Sequence, residues 1–581
     1  MHWKSCIPAL MCVLIAVGMT GPAWVAQEPS LIGLWEGLDL SGSVWAHWWT
    51  ADALARGASP FIGTHSYLPV GLSPVFQYNL LDAILGAPWI WLADIRLGYN
   101  LACVAALTST GLAAYFLART SGAERSGALL SALIIESSSF VALELETGRI
   151  SQVTLVFFLL ALAFLIRAIE RPSDKASAVG LGLTAAGTAL VYWYYGFALL
   201  LAFTVLLIGQ KKVLNKGHLW TLALGGCIAS LLTVPFVLDL MGQWSSLPGV
   251  LRGGSHAAMI EQGREIAILN SRWLLWPIVA AEGVDKHQLG LLTVGLTALA
   301  IRTRTLRWKS WTAMATLGWL LAMGPFLQTF SETTEISLPF GWLQALIPTF
   351  DRMWWPYRFE VLTLIPCAIL AGHALDGWIQ GRKRPVLWLG GALILSLVDA
   401  PLRSDSLPIE SSQPPHVEPE LYNDIDGPIF TTPVRPRRAE AERLMYAQTM
   451  HGQPTQNGDG EHINGHTPPG YDAWMDESRL VQVLTTLLTK GSVQSTVTPD
   501  DVEVLLDAGF EYVAADATIY EGPNGKNWAA THGRVFEAIW GRPSRVTRTG
   551  AVWKISPIQD EVVIDVEYAR GTERATRRRS R

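Results

Sequence analysis

The sequence predicts a mainly α fold: a polytopic helix bundle crossing a membrane about eleven times, with a small extracytoplasmic α/β domain at its C-terminus. Three observations predict it. Half of the 581 residues are hydrophobic and only 16% are charged, against roughly 25% in soluble domains. Mean hydropathy is +0.27. The averages also hide a split. Up to about residue 400 the chain is a series of apolar runs, each close to the ~20 residues that span a hydrocarbon core as helix. Beyond that point the runs shorten, and Asp, Glu, Arg, Pro and Gly return.

Apolar windows place spans near 6–25, 97–118, 126–143, 153–169, 177–193, 194–209, 219–238, 287–301, 310–328, 359–378 and 385–400. The first run follows Lys4 as a signal peptide would, but Trp24 sits poorly before the only suitable cut, after Ala26. A retained first helix is therefore expected. The stretch from Pro74 to Leu92 is apolar too, yet Asp82 and Pro88 interrupt it, so it reads as an interfacial or re-entrant helix.

Orientation follows from Lys and Arg in short loops. Arg119 and Arg125, Arg171 and Lys175, Lys211 to Lys216, Arg302 to Lys309, and Arg382 to Arg384 fill alternate loops. They all fall on one side only if the N-terminus is cytoplasmic and the span count is odd. The loops 26–96, 239–286 and 329–358 and the C-terminal domain are then outside the cytoplasm. The five cysteines lie in or beside apolar segments, so the C-terminal domain has no disulfide framework. Many of the 25 tryptophans fall in outer loops, as in an interfacial aromatic belt, and some of those rings suit stacking on sugar faces.

Ionisable residues at the outer ends of apolar helices are the best site candidates. The first outer loop runs Trp35-Glu36-Gly37-Leu38-Asp39, then a Trp-rich stretch with Trp45, Trp48 and Trp49, then Tyr67-Leu68-Pro69-Val70-Gly71. Glu144-Leu145-Glu146-Thr147-Gly148-Arg149 forms a second polar segment. A third runs from Phe350 and Asp351-Arg352 through Trp354-Trp355-Pro356-Tyr357-Arg358-Phe359 into a span ending Leu370-Ala371-Gly372-His373. Tyr446-Ala447-Gln448-Thr449-Met450-His451-Gly452-Gln453-Pro454 is the fourth.

In order and character these segments resemble the GT-C superfamily of multi-pass membrane glycosyltransferases, and within it the bacterial protein-mannosyltransferase-like and YfhO-like groups. That resemblance implies transfer of a sugar from a polyprenyl-phosphate carrier to a glycan, lipid or protein acceptor outside the cytoplasm, from a bacterial cytoplasmic membrane. It implies no nucleic-acid partner. Asp39 stands where these proteins carry their first-loop acid, although Leu38 replaces the usual preceding Gly, and Glu36 is its reserve. Either suits the general base that an acceptor hydroxyl needs.

The carrier phosphate needs fixed cations, and an arginine fork matches its oxygens. Arg358, Arg352 and Arg149 are the candidates; snorkelling, or pairing with Asp351, Glu146 or lipid headgroups, is their ordinary alternative. Glu144 and Glu146 are candidates for positioning the acceptor, or for holding a divalent cation with Asp39. Their i, i+2 spacing shares one face only in extended chain; solvated charges keeping a turn outside are the plainer alternative. Trp48 and His65 complete the substrate-binding set; His47, His65 and His287 lack metal-ligand spacing such as H-x-x-x-H, and His451, His462 and His466 of the loop 451–470 are further candidates for substrate contact. No phosphate-binding G-x-x-x-x-G-K-[ST] loop and no G-x-S-x-G elbow occurs. A lipid-linked saccharide flippase and an inactive assembly scaffold are the competing classes.

The transmembrane part is expected over 1–400. A Pro/Ser-rich linker follows at 401–418, an α/β domain at 419–570 and a basic tail at 571–581. Strands are expected near 427–432 and 551–555, helices at 438–449, 477–489 and 499–508, and a buried strand after Gly509.

Overall fold

The computed structural model describes residues 6–35, 39–72, 79–209, 215–243, 265, 267–268, 271–272, 275–277, 288–328, 333–347, 350, 353–399, 406–458, 468, 470–520, 522 and 524–568. The chain divides into two compact units, Met1–Leu34 with Tyr78–Ser412, and Trp35–Gln77 with Gln413–Arg581.

The first unit is helical, and a described helix falls on each predicted window. Among the described residues, five helical segments are long and apolar enough to cross a membrane: Ile95–Thr120, Arg125–Glu146, Ile150–Glu170, Lys216–Asp239 and Pro356–Ile379. Shorter apolar helices include Ile7–Met19, Lys175–Val191, Trp193–Ile208, Leu291–Thr303 and Pro385–Asp399. The Pro356–Ile379 segment is central, 94% of its window being buried, whereas Lys216–Asp239 is 11% buried. A helix apolar on all sides and left uncovered is what a lipid-facing position asks for.

Local chemistry sets the breaks. Asp94 Oδ1 accepts from the amides of Arg96 and Leu97 at 2.8 and 3.0 Å and so starts the Ile95–Thr120 helix. Asp376, from a different span, accepts from the amides of Glu124 and Gly127 at 2.6 and 2.7 Å, capping the Arg125–Glu136 helix across the bundle. Gly127 and Gly372 face one another so closely that a Cβ on Gly372 would strike Ser131 and the Gly127 backbone. Such close crossings are how membrane helices gain packing contact.

Two expectations need correcting. The window 310–328 is not one helix: Trp308–Ala322 ends before Gly324, and Phe326–Gln328 pairs antiparallel with Thr333–Ser337. Gly324 turns the chain with φ +76°, a conformation glycine adopts without penalty, and Pro325 cannot extend the helix. The segment 144–149 is not a solvated turn, because Ser138 Oγ accepts from Val141 N at 3.2 Å and starts a helix, Ser139–Glu146, that holds both glutamates buried.

The second unit centres on a four-stranded sheet in the order Ile429–Thr432, Tyr512–Asp516, Gly550–Lys554, Arg545–Val546. The first pair is parallel and the others antiparallel, which agrees with the predicted alternation of helices and strands. Ser492–Val497 and Val562–Glu567 form a separate antiparallel pair. Helix Gly525–Trp540 packs on strands of both sheets and Arg479–Lys490 on Ser492–Val497, with Arg438–His451 and Pro499–Asp507 in the same unit. Gly452 and Gly491 end two of them at φ +72° and +74°, the left-handed residue that closes many helices.

The first-loop helix Leu40–Ala55 belongs to this same unit and packs on Arg438–His451. Gln448 joins them. Its Oε1 accepts from Trp45 Nε1 at 2.7 Å, and its Nε2 donates to the carbonyls of His65 and Gln453 at 2.5 and 2.9 Å.

Candidate functional site

In the helical unit the structure builds a buried ionic cluster from two polar segments of the sequence. Glu144 lies in the short helix Ser139–Glu146, and its side chain is fully buried. Arg149, just past that helix, places Nη1 3.3 Å from Glu144 Oε2 and 3.2 Å from Tyr357 Oη. Arg358 sits in the 3₁₀ turn Pro356–Glu360, with Nε 3.9 Å from Glu144 Oε1. One carboxylate thus faces two guanidinium groups, and the trio keeps one positive charge. Arg358 Nε is buried and donates to nothing among the described residues, so the fork retains an unspent donor.

Aromatic rings wall this cluster. Arg358 hydrogen-bonds Tyr192 Oη and lies 5.1 to 5.7 Å from the rings of Tyr192, Trp355, Tyr194 and Tyr357, within cation–π range. Arg149 lies 5.6 Å from the Trp355 ring. Tyr194 Oη accepts from Trp354 N at 2.6 Å, pinning the segment before the turn. A second pair extends the cluster: Arg272 Nε stands 3.8 Å from Glu360 Oε2, and its guanidinium lies 4.5 Å from the Tyr357 ring. The side chain of Arg358 is 7% exposed and that of Arg149 is 14% exposed, so Arg149 forms the accessible edge.

Glu144 therefore joins Arg149 and Arg358 directly. Glu146 is buried as well, but residues two apart on a helix point to different faces, so it does not share the face of Glu144. Glu36 and Arg352 lie outside the described residues, as do His287, His462, His466 and the basic tail. Sequence reading missed Tyr192, Tyr194, Arg272 and Glu360. The run Tyr192-Trp193-Tyr194-Tyr195 at a junction between two spans was the available signal, since hydroxyl-bearing rings there have polar work to do.

The remaining candidates belong to the second unit. Asp39 immediately precedes the helix Leu40–Ala55, and its Oδ1 lies 3.4 Å from Arg438 Nη2. Trp48 is half-buried, its ring 6.2 Å from that of His65. Burial, with help from the nearby Arg56 charge, lowers the His65 pKa to about 4, so its ring is neutral at pH 7. His451 stacks on Tyr422 with centroids 4.5 Å apart, and burial lowers its pKa to about 3.

The described residues do not fit the divalent cation that the sequence left open. Glu144 already carries two arginines and Asp39 carries one. Among the described residues no group of three His, Cys, Asp or Glu side chains is placed to hold a metal ion.

No protein-family model matches the chain, and no curated protein does so. Solved structures do. The oligosaccharyltransferase of Archaeoglobus fulgidus, in its apo form, aligns with TM-score 0.51 and 11% identity over 91% of this chain and 71% of its own. The archaeal oligosaccharyltransferase AglB from Archaeoglobus fulgidus, in complex with an inhibitory peptide and a dolichol-phosphate, aligns with TM-score 0.50 and 11% identity over 97% of this chain and 76% of its own. The arabinofuranosyltransferase AftD from Mycobacteria gives TM-score 0.53 and 13% identity over 96% of this chain, which spans 40% of AftD. At such identities the likeness is one of fold. The chain is a multi-pass membrane protein with the GT-C fold.

Proposed function

We propose that this protein is a membrane glycosyltransferase that moves a sugar from a polyprenyl-phosphate carrier to an acceptor outside the cytoplasm. The observation that carries the reading is the pair of arginines about the buried Glu144, Arg358 buried and Arg149 at the accessible edge. An arginine held at low dielectric, with one N–H unspent, is suited to an anionic oxygen. One positive charge left over in the trio suits a phosphate lying at headgroup depth. The dolichol-phosphate bound by AglB is a ligand of the same chemical class.

In this reading the acceptor oxygen attacks the anomeric carbon, and Asp39 takes its proton. The bond from that carbon to the carrier's phosphate oxygen breaks, and the phosphate leaves with the electron pair. Arg358 and Arg149 stabilise the charge that develops there. Glu144 holds the two guanidinium groups in register, and Tyr192, Tyr357 and Trp355 keep water from them. Trp48 and His65 are offered to the sugar or the acceptor. Loop charges orient the chain with its N-terminus in the cytoplasm and the C-terminal domain outside, in a bacterial cytoplasmic membrane.

The test is a panel of polyprenyl-phosphate sugars offered to purified protein, with release of free polyprenyl phosphate followed by mass spectrometry. Wild type is expected to cleave one donor, and Arg358→Ala to lose at least about a hundredfold, the scale seen when one charge-stabilising donor is removed. Equal cleavage by the two proteins would remove Arg358 from the site.

A further inference from the structure

Arg438 occupies a poor place for a cation. It is the first residue of the helix Arg438–His451, where the unpaired amides of the first turn already carry partial positive charge. Two carboxylates offset this. Arg438 Nη2 lies 3.4 Å from Asp39 Oδ1, and Nε lies 3.1 Å from Glu442 Oε1. Glu442 stands one turn along the same helix and is 1% exposed. Asp39 comes from the first loop, at the start of the helix Leu40–Ala55. One guanidinium therefore spans a buried acid of the C-terminal segment and the candidate reacting acid of the first loop, all within one compact unit.

Carboxylates from separate elements converging on one point are the donors that hard divalent cations take. A guanidinium can fill that position with a fixed charge and several directed donors. Unlike a bound ion, it is tethered, so it sets the direction of both carboxylates at once. We propose that Arg438 is the positioning residue for Asp39 and stands between Asp39 and Glu442 in place of a bridging divalent cation, so that Asp39 acts without a metal. The proposal rests on the reading of Asp39 as the reacting acid.

The experiment pairs two readouts on the purified full chain. Mn²⁺ binding is followed by electron paramagnetic resonance on wild type, Arg438→Ala, Arg438→Gln and the double variant Asp39→Asn/Arg438→Ala. Donor cleavage is measured with and without EDTA. Wild type is expected to show no Asp39-dependent Mn²⁺ site, and its cleavage to be unchanged by EDTA. Arg438→Ala and Arg438→Gln gain a Mn²⁺ site that the double variant lacks. Their cleavage falls about ten- to a hundredfold, the range for losing a group that orients a reacting one, and Arg438→Lys or added guanidinium restores part of it.

An Asp39-dependent Mn²⁺ site in wild type, loss of wild-type cleavage in EDTA, or wild-type rates in Arg438→Ala would each overturn the proposal. If wild type cleaves no donor at all, the glycosyltransferase reading fails by itself. The Mn²⁺ titration then still decides whether Arg438 fills the cation position.

Discussion

At the scale of single residues, the site is built from charges that are answered by opposite charges. Glu144 lies between Arg149 and Arg358, and removing it leaves two guanidinium groups without their carboxylate. Breaking a buried pair in this way costs about 3–5 kcal/mol. Glu144→Ala is therefore expected to lower the thermal midpoint in detergent by several degrees, while Glu146→Ala, off that face, leaves the cluster's pairs intact. Equal losses in the two variants would refute the assignment. The sequence made these charges legible through their place at the ends of apolar runs. It did not show that Tyr192 and Tyr194 belong with them, because aromatic residues where the windows 177–193 and 194–209 meet read as an interfacial belt; the break at the Tyr192 backbone brings the hydroxyls round to Arg358 and Trp354.

Histidines of the second unit give this scale a pH signature. Burial holds His451 at about 3 and His65 at about 4, below the roughly 6.5 of an unfolded chain. Between about pH 6.5 and 4 the unfolded state takes up protons that the folded state refuses, so stability falls as pH falls through that window. Asp516, whose buried carboxyl is raised above the ordinary range, works in the opposite sense at the acid end. Unfolding of the second unit is expected at lower temperature at pH 5 than at pH 7. His451→Gln should flatten that slope; an unchanged slope would remove His451 from it.

At the scale of elements, the helices were the easy part and their ends were not. Window reading placed a helix at every described span because apolar runs near 20 residues have no other common outcome. It overran at Gly324-Pro325, where two residues that favour a turn and block a helix end one run and begin a hairpin. The association of the helix Leu40–Ala55 with the C-terminal residues could not be read locally, since its partner lies some 400 residues away: the Trp45 to Gln448 hydrogen bond spans 403 positions. Gln448→Ala would leave the Trp45 indole N–H and the His65 carbonyl without that partner, a cost of about 1–3 kcal/mol. Faster proteolysis of the 40–55 helix in the variant, followed by mass spectrometry of timed digests, is the expected outcome. Digestion at the wild-type rate would show that other contacts hold the helix.

At the scale of the whole molecule, the sequence split at about residue 400 is only partly the structural division. Residues 35–77 fall in the same compact unit as 413–581, so a first loop embedded in the membrane half of the sequence shares a core with the C-terminal segment. Composition reads a chain in order and has no view of such returns. The ordered motifs did better, because they touch in pairs: those around Trp45 and Gln448 in one unit, and those around Glu144 and Arg358 in the other. The charge-based orientation makes its own prediction at this scale. Single cysteines introduced at Lys212 and Lys383 in a cysteine-free background should resist an impermeant thiol reagent added outside spheroplasts. One at Thr518 should react. Labelling at Lys383 with protection at Thr518 would reverse the orientation.

The central claim is that this GT-C fold carries a working transfer site, and donor cleavage by wild type and Asp39→Asn, followed by release of free polyprenyl phosphate, tests it most directly. Wild type is expected to release polyprenyl phosphate from one sugar donor in the panel, and Asp39→Asn is not. Release by both proteins at the same rate, or by neither while both hold carrier lipid, would contradict it.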